Sequence, residues 1–329
     1  MDDFLTLSHL SVGYKGRTLF DNLNLSVAES ELVALIGRNG VGKSTLMRTI
    51  SRFQPMIAGD IIINHKSLKQ YSRNELSNLV SIVSTESVGG AHLSVQQLVA
   101  FGRFPYTNWI GRLTEQDKES VHEAMSQVGI LHLARKNLHE ISDGERQRAM
   151  IARTLAQDTK IILLDEPTAF LDMPNKYEMI HLLFQLTRQR KKTIIFSTHD
   201  LDIAMQKADK LWLMVGQELR EGAPEDLVLN GSIESIFNGT NLFFDDKGIF
   251  RMQQASLVPV QLTGQGKAFL WTKKALERKG FFISNNADSQ YKIVISESSP
   301  TDWTLYKDGI RNKFHSLYEL SRNMDIWNK

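Results

Sequence analysis

The sequence predicts an α/β protein: a parallel sheet covered by helices, followed by a small α/β appendage. Three observations predict it. Continuous apolar, β-branched runs at Leu32–Ile36, Ile161–Leu164 and Thr193–Phe196 read as buried strands. Residues 174–189 lie between the last two and carry Met179, Ile180, Leu183, Phe184 and Leu186 at helical spacing. Strand, helix and strand in that order point to a parallel sheet. Composition then shifts after about residue 250: residues 257–329 hold 11 Lys+Arg against 7 Asp+Glu, whereas the preceding chain holds 28 against 30.

In chain order, residues 5–12 alternate apolar and polar side chains, as does Leu23–Val27, so both read as half-buried strands. Leu32–Ile36 runs into a glycine-rich turn, and a helix is expected from Lys43. The stretch from about 87 to 160 reads as mostly helical, with helical spacing over 95–101, 118–128 and 145–156. Asp143 and Gly144 stand where the cap of the last helix is expected. Leu211–Val215 followed by Gly216 and Gln217 reads as a strand entering a hairpin. In the appendage a helix is expected over 267–279 and strands over 281–283 and 291–295; three of the five Trp (Trp271, Trp303, Trp327) lie there, which argues for a folded unit.

Composition excludes several functions. The 329 residues contain no Cys, so disulfides, thiolate metal sites and a Cys nucleophile are ruled out together. A net charge of +2 gives no basic field for nucleic acid. Asp2 and Asp3 at the N-terminus argue against a secretory signal, and no apolar stretch approaches the roughly 18 residues of a membrane span. The chain is therefore expected to work at a membrane only by docking onto a spanning partner.

Gly37, Arg38, Asn39, Gly40, Val41, Gly42, Lys43 and Ser44 match the G-x-x-x-x-G-K-[ST] phosphate-binding pattern at every fixed position. Glycines let backbone N–H groups turn inward around phosphates, and the following helix start adds its positive end. Lys43 would reach the β- and γ-phosphates, and Ser44, followed by Thr45, would offer an oxygen to Mg²⁺. A chance match in a chain of this length is about one per cent. Downstream, Ile161–Leu164 ends in Asp165 and Glu166. Asp165 is placed to hold Mg²⁺ through water, and Glu166 to polarise an attacking water as general base. Alone, this pair would equally be an acidic turn; beside the phosphate-binding loop it reads as catalytic.

Ser142-Asp143-Gly144-Glu145 lies 23 residues before Asp165. Alone it reads as a capped helix start. In this order, with both flanking motifs, the chain resembles ATP-binding-cassette (ABC) ATPases over about residues 4–245. The segment from Leu98 to Tyr106, with Gly111-Arg112-Leu113, is similar to the ATPase subunits of importers for iron complexes (ferric siderophores or haem) and cobalamin. The resemblance implies a P-loop ABC nucleotide-binding domain over 1–250. Such a domain has a mixed-sheet core, N-terminal antiparallel strands and a helical subdomain near 87–160; 257–329 would form a separate C-terminal domain.

By the same resemblance, Tyr14 stacks on adenine (a strand-end tyrosine is the plainer alternative), and Asp172 lies in the loop facing the opposite subunit. His199 is the switch histidine that contacts the γ-phosphate. Ser142 and Gly144 would contact ATP bound to a second copy, because two sites form across a two-fold homodimer. Two departures stand out. Asp143 and Glu145 replace the Gly and Gln of the usual Leu-Ser-Gly-Gly-Gln signature. The glutamine expected to touch Mg²⁺ near Thr85 is absent, so Thr85 or Glu86 is expected to substitute.

The implied function is the ATP-hydrolysing subunit of an importer, peripheral at the cytoplasmic face of the cell membrane. Its partners would be polytopic permease subunits and, indirectly, an extracytoplasmic binding protein, with no nucleic acid. A soluble non-transport ABC ATPase, or an exporter's ATPase subunit, is the alternative. The appendage is expected either to pack structurally or to regulate through a ligand.

Overall fold

The computed structural model describes residues 3–14, 16–84, 93–107, 111–244, 250–252, 258–284, 289–296 and 302–324. The chain divides into two compact units, Met1–Ile236 and Phe237–Lys329, each with its own apolar core.

In the first unit, β1 (Leu5–Tyr14) and β2 (Arg17–Val27) form an antiparallel hairpin that sets Tyr14 opposite Arg17. β2 begins at Arg17, well before the Leu23 expected from alternation. Register shifts after Leu7, Leu10 and Val12, with positive φ at His9 and Asn22, break the two-residue period on which that expectation rested. β3 (Leu32–Gly37) is buried at every position and leads through the glycine turn into α1 (Lys43–Ile50). β4 (Ala58–Ile63) and β5 (Lys66–Ser67) complete the antiparallel sheet β2-β1-β4-β5. α2 (Arg73–Ser77) and β6 (Val80–Val83) follow.

The helical region contains α3 (Val95–Ala100), α4 (Glu115–Gln127) and α5 (Asp143–Gln157). Beyond Ala100 the chain tightens into a 3₁₀ helix over Phe101–Tyr106 that contains Pro105. The cap of α5 is Ser142, not Asp143 or Gly144. Its hydroxyl accepts the Glu145 N–H while the Glu145 carboxylate accepts the Ser142 N–H at 2.8 Å. Asp143 and Gly144 already lie inside the helix.

β7 (Ile161–Leu164), α6 (Met173–Arg190), β8 (Thr193–Thr198), α7 (Leu201–Lys207), β9 (Lys210–Val215) and β10 (Glu218–Gly222) build the rest of the central sheet and its connections. The sheet order is β10-β9-β3-β8-β7-β6, parallel except for the β9–β10 hairpin, which matches the mixed core the resemblance implies. The short helices α8 (Pro224–Leu229) and α9 (Ser232–Ser235) close the unit. Its core runs through Leu35, Met47, Leu163, Ile195 and Trp212.

In the second unit β11 (Leu242–Phe244) pairs antiparallel with β12 (Phe250–Met252). β13 (Val258–Thr263), α10 (Gly266–Arg278) and β14 (Phe281–Ile283) form a parallel crossover. β15 (Tyr291–Ile295) lies parallel to β13 on its other side, and β16 (Trp303–Lys307) and β17 (Ile310–Phe314) continue antiparallel, followed by α11 (Leu317–Arg322). Val260, Leu276, Phe281, Ile293, Leu305 and Leu320 form its core. The buried Trp303 indole satisfies its N–H on Thr272 Oγ1 at 2.7 Å.

Trp212 is fully buried on β9, and its indole N–H donates to Glu221 Oε2 at 3.0 Å across the hairpin. Trp212→Ala is expected to cost about 3–5 kcal/mol. A denaturant titration of the first unit's transition that loses less than about 1 kcal/mol would contradict this packing.

Candidate functional site

The C-terminal ends of β3 and β7 open onto a cleft of about 510 Å³, the size range of small-ligand pockets and the usual edge for ligands in open α/β sheets. It is lined by Tyr14, Asn39, Gly40, Gly42, Lys43, Ser44, Thr45, Asp165 and Glu166 from the expected set, and also by Arg17, Leu19, Ala169 and Phe170. Gly42 caps α1 at φ 124°, and Gly40 turns at φ 79°, a region where a Cβ is strained. At Gly42 a Cβ would also stand 3.0 Å from the Phe20 ring. This curled backbone is what aims the start of α1 into the cleft.

Lys43 is buried at 5% exposure. Its ammonium donates to Gly37 O at 2.9 Å and stands 3.4 Å from Glu166 Oε1. Glu166 adopts φ 48°, an uncommon conformation for a residue with a side chain, just where β7 turns out of the sheet. Ser197 on β8 ties the acidic pair together. Its hydroxyl donates to Asp165 Oδ1 at 2.7 Å and accepts the Glu166 N–H at 2.8 Å. Asp165 N–H donates to Val83 O on β6 at 2.9 Å. Two residues past Ser197, His199 Nδ1 lies 3.7 Å from Glu166 Oε2 at the exposed rim. Tyr14 and Thr45 hydroxyls are 3.0 Å apart, which pins the half-exposed Tyr14 ring over the start of α1.

The arrangement can bind a polyphosphate through Lys43 and the backbone of 39–44 while holding a carboxylate, Glu166, beside the terminal phosphate. Ser44 and Asp165 offer the hard oxygen donors that Mg²⁺ takes, with phosphate and water completing its shell. Among the described residues there is no cluster of three His, Cys, Asp or Glu able to hold a metal by protein ligands alone.

Gly37, Arg38 and Val41 belong to the same loop without lining the cleft. Ser142, Gly144 and Asp172 are not brought to it. Ser142 caps α5, and Asp172 caps α6 by accepting the Asn175 N–H at 3.1 Å. Both signature carboxylates have partners in the chain. Glu145 accepts from the Ser142 N–H and hydroxyl, and Asp143 stands 3.3 Å from Arg146. Thr85 and Glu86 lie outside the described residues. Reading the sequence missed Arg17, whose position across from Tyr14 emerges only from hairpin register. It also missed Ser197, whose Ser-Thr-His-Asp context drew attention to His199 alone.

Comparison with known proteins places this geometry in a family. Residues 20–169 match the ABC transporter model, and residues 258–325 match the iron ABC transporter C-terminal domain model. The chain is 37% identical over 235 residues to the achromobactin transport ATP-binding protein CbrD of Dickeya dadantii (strain 3937), covering 71% of this chain and 87% of that protein. It is 36% identical over 238 residues to the ferric enterobactin transport ATP-binding protein FepC of Escherichia coli (strain K12), covering 72% and 88%. Among solved structures, CbiO1 of Clostridium perfringens, part of the ABC transporter complex CbiONQ, superposes with a TM-score of 0.63 at 30% identity, covering 71% of this chain and 93% of that one. The chain belongs to the ATP-binding subunits of ABC transporters, the ATP-hydrolysing members of those machines.

Ser197→Ala removes the link between Asp165 and Glu166. It is expected to lower kcat about tenfold or more with little change in nucleotide affinity, as measured by steady-state ATPase assays; an unchanged kcat would show that the link is dispensable. At the start of α5, the hydrogen bond from the Ser142 N–H is the main cause that holds the Glu145 carboxyl below its ordinary value of 4.5. A lowered pKa contributes stability above the ordinary value and loses it as pH falls through the folded value. Glu145→Ala should therefore cost about 1 kcal/mol at neutral pH and almost nothing in strong acid. A cost independent of pH, in paired denaturation curves, would contradict the capping role.

Proposed function

We propose that this chain is the energising subunit of an importer for an iron complex, and that its two compact units, Met1–Ile236 and Phe237–Lys329, are the ATPase and C-terminal domains. The approach of Lys43 to Glu166 at 3.4 Å in the cleft carries the catalytic half of this reading. The substrate class is supported by the ferric enterobactin and achromobactin relatives and by the iron-transporter model matching 258–325.

ATP enters with its adenine on Tyr14 and its phosphates wrapped by 39–44. Lys43 neutralises the β- and γ-phosphates, exchanging part of its pairing with Glu166 for theirs. Ser44 and Asp165 would hold Mg²⁺, which would supply neutralisation of the phosphate charge. Glu166 then accepts the proton of the attacking water, with His199 steadying its other carboxylate oxygen. Ser142 and Gly144, remote from the cleft of their own chain, cover the nucleotide of a second copy. Closure of that homodimer on ATP, and its reopening after hydrolysis, move polytopic permease subunits at the cytoplasmic membrane face.

Glu166→Gln is expected to lower ATP turnover by about 10²–10⁴-fold while ATP binding is retained; a rate within threefold of the parent would remove Glu166 as the base. Affinity purification of the chain from membranes of its own cells should bring down a polytopic permease. Recovery of ribosomal or nucleic-acid-associated proteins instead would overturn the transport reading.

A further inference from the structure

The outer surface of the C-terminal unit's helices has an unusual make-up. On α10, Lys267, Leu270, Trp271, Lys274 and Arg278 follow one another at spacings of one to four residues and fall within an arc of about 100°. All five face solvent, Leu270 at 49% and Trp271 at 58% exposure. The opposite side of the helix carries Thr272, Ala275 and Leu276 into the core. The helix has one acidic residue, Glu277, at the border of the stripe, where Lys273 stands 3.8 Å from it. α11 packs beside α10 and adds Tyr318, 69% exposed, with Arg322 near its ring. The Lys274 ammonium lies 4.7 Å from the Trp271 ring centroid.

A solvated helix face has no use for an exposed Trp, Leu and Tyr, and a protein–protein core is poor in lysine. Aromatic rings beside Lys and Arg are the composition that settles at the headgroup layer of a bilayer, where rings sit among glycerol and ester groups and cations meet anionic phosphates. We propose that the α10–α11 surface docks directly on anionic phospholipid, through Trp271, Leu270 and Tyr318 inserted shallowly between Lys267, Lys274, Arg278 and Arg322. Charge complementarity selects the occupant: every charged residue of the α10 stripe is cationic, the exposed Glu319 on α11 being the acidic neighbour of Tyr318, and the C-terminal segment 257–329 carries four more basic than acidic residues. With only three apolar side chains to insert, the contact is weak, salt-sensitive and reversible. It tethers a subunit of a membrane transporter beside its permease. This docking rests on the family assignment and the C-terminal unit alone, so it holds whichever substrate is carried.

The full-length chain would be sedimented with vesicles of phosphatidylcholine alone and of phosphatidylcholine containing about a quarter phosphatidylglycerol. Binding is expected to the anionic vesicles only and to fall steeply with added salt. The triple variant Lys267→Glu, Lys274→Glu, Arg278→Glu is expected to lower the partition coefficient by about a hundredfold or more, given roughly fivefold per basic residue near such a surface. Trp271→Ala should weaken it by a smaller factor, and ATPase activity should stay within about twofold in both variants. The proposal fails if the parent binds neither vesicle or both equally, or if the triple variant binds like the parent. It also fails if sedimentation velocity shows parent self-association that Trp271→Ala abolishes, since a second copy would then cover this face.

Discussion

The site depends on β8 lying between β3 and β7. The phosphate-binding loop leaves the sheet at the end of β3, and the acidic pair leaves it at the end of β7. Parallel strands stand about 4.8 Å apart, so one intervening strand sets the two motifs roughly 10 Å apart, a gap that long side chains span. The Lys43 side chain crosses that gap from one side and Glu166 meets it at 3.4 Å. Ser197, on the strand in between, is the position from which one hydroxyl bonds both Asp165 and the Glu166 backbone. His199 follows two residues later at the same strand end, which puts it against Glu166 without any further loop to position it.

The α5 start resolves a conflict in the sequence. Two carboxylates at the position where an ATPase subunit presents its signature to a phosphate would repel the ligand if they were free. Here Glu145 turns back onto the Ser142 N–H and hydroxyl, and Asp143 lies beside Arg146. Their charge also favours the N-terminal end of α5 through its dipole. On the proposed reading, the backbone N–H groups of that helix start and the small Gly144 are what a partner's nucleotide would meet.

Much of this was legible in the sequence, for identifiable reasons. β3, β7 and β8 read correctly because strands buried on both faces need uninterrupted apolar side chains, and the loop of 37–44 because phosphate wrapping dictates glycine and lysine at fixed spacing. Alternation alone marks β2 only from Leu23, because the register shifts at Leu10 and Val12 destroy the two-residue period over Arg17–Asn22. At the start of α5 the sequence alone leaves Ser142, Asp143 and Gly144 as acceptable caps, and only the reciprocal bond with Glu145 decides for Ser142. Arg17 and Ser197 could not be read, because each owes its place in the cleft to which strands become neighbours. Residues 58–63 and 80–83 are too short and mixed to announce themselves as strands before their partners are known.

On the proposed reading each chain holds half of two sites: a cleft with Lys43 and Glu166, and, away from that cleft, a helix start with Ser142. The most direct measurement of that division is a mixing experiment. One chain carries Lys43→Ala and the other Ser142→Arg, each inactive in ATP hydrolysis by itself. Mixed in equal amounts, they should recover about a quarter of parental activity, because half of the dimers form between unlike chains and each such dimer contains one intact site. No recovery on mixing, or a Ser142→Arg chain that is fully active alone, would contradict the shared site.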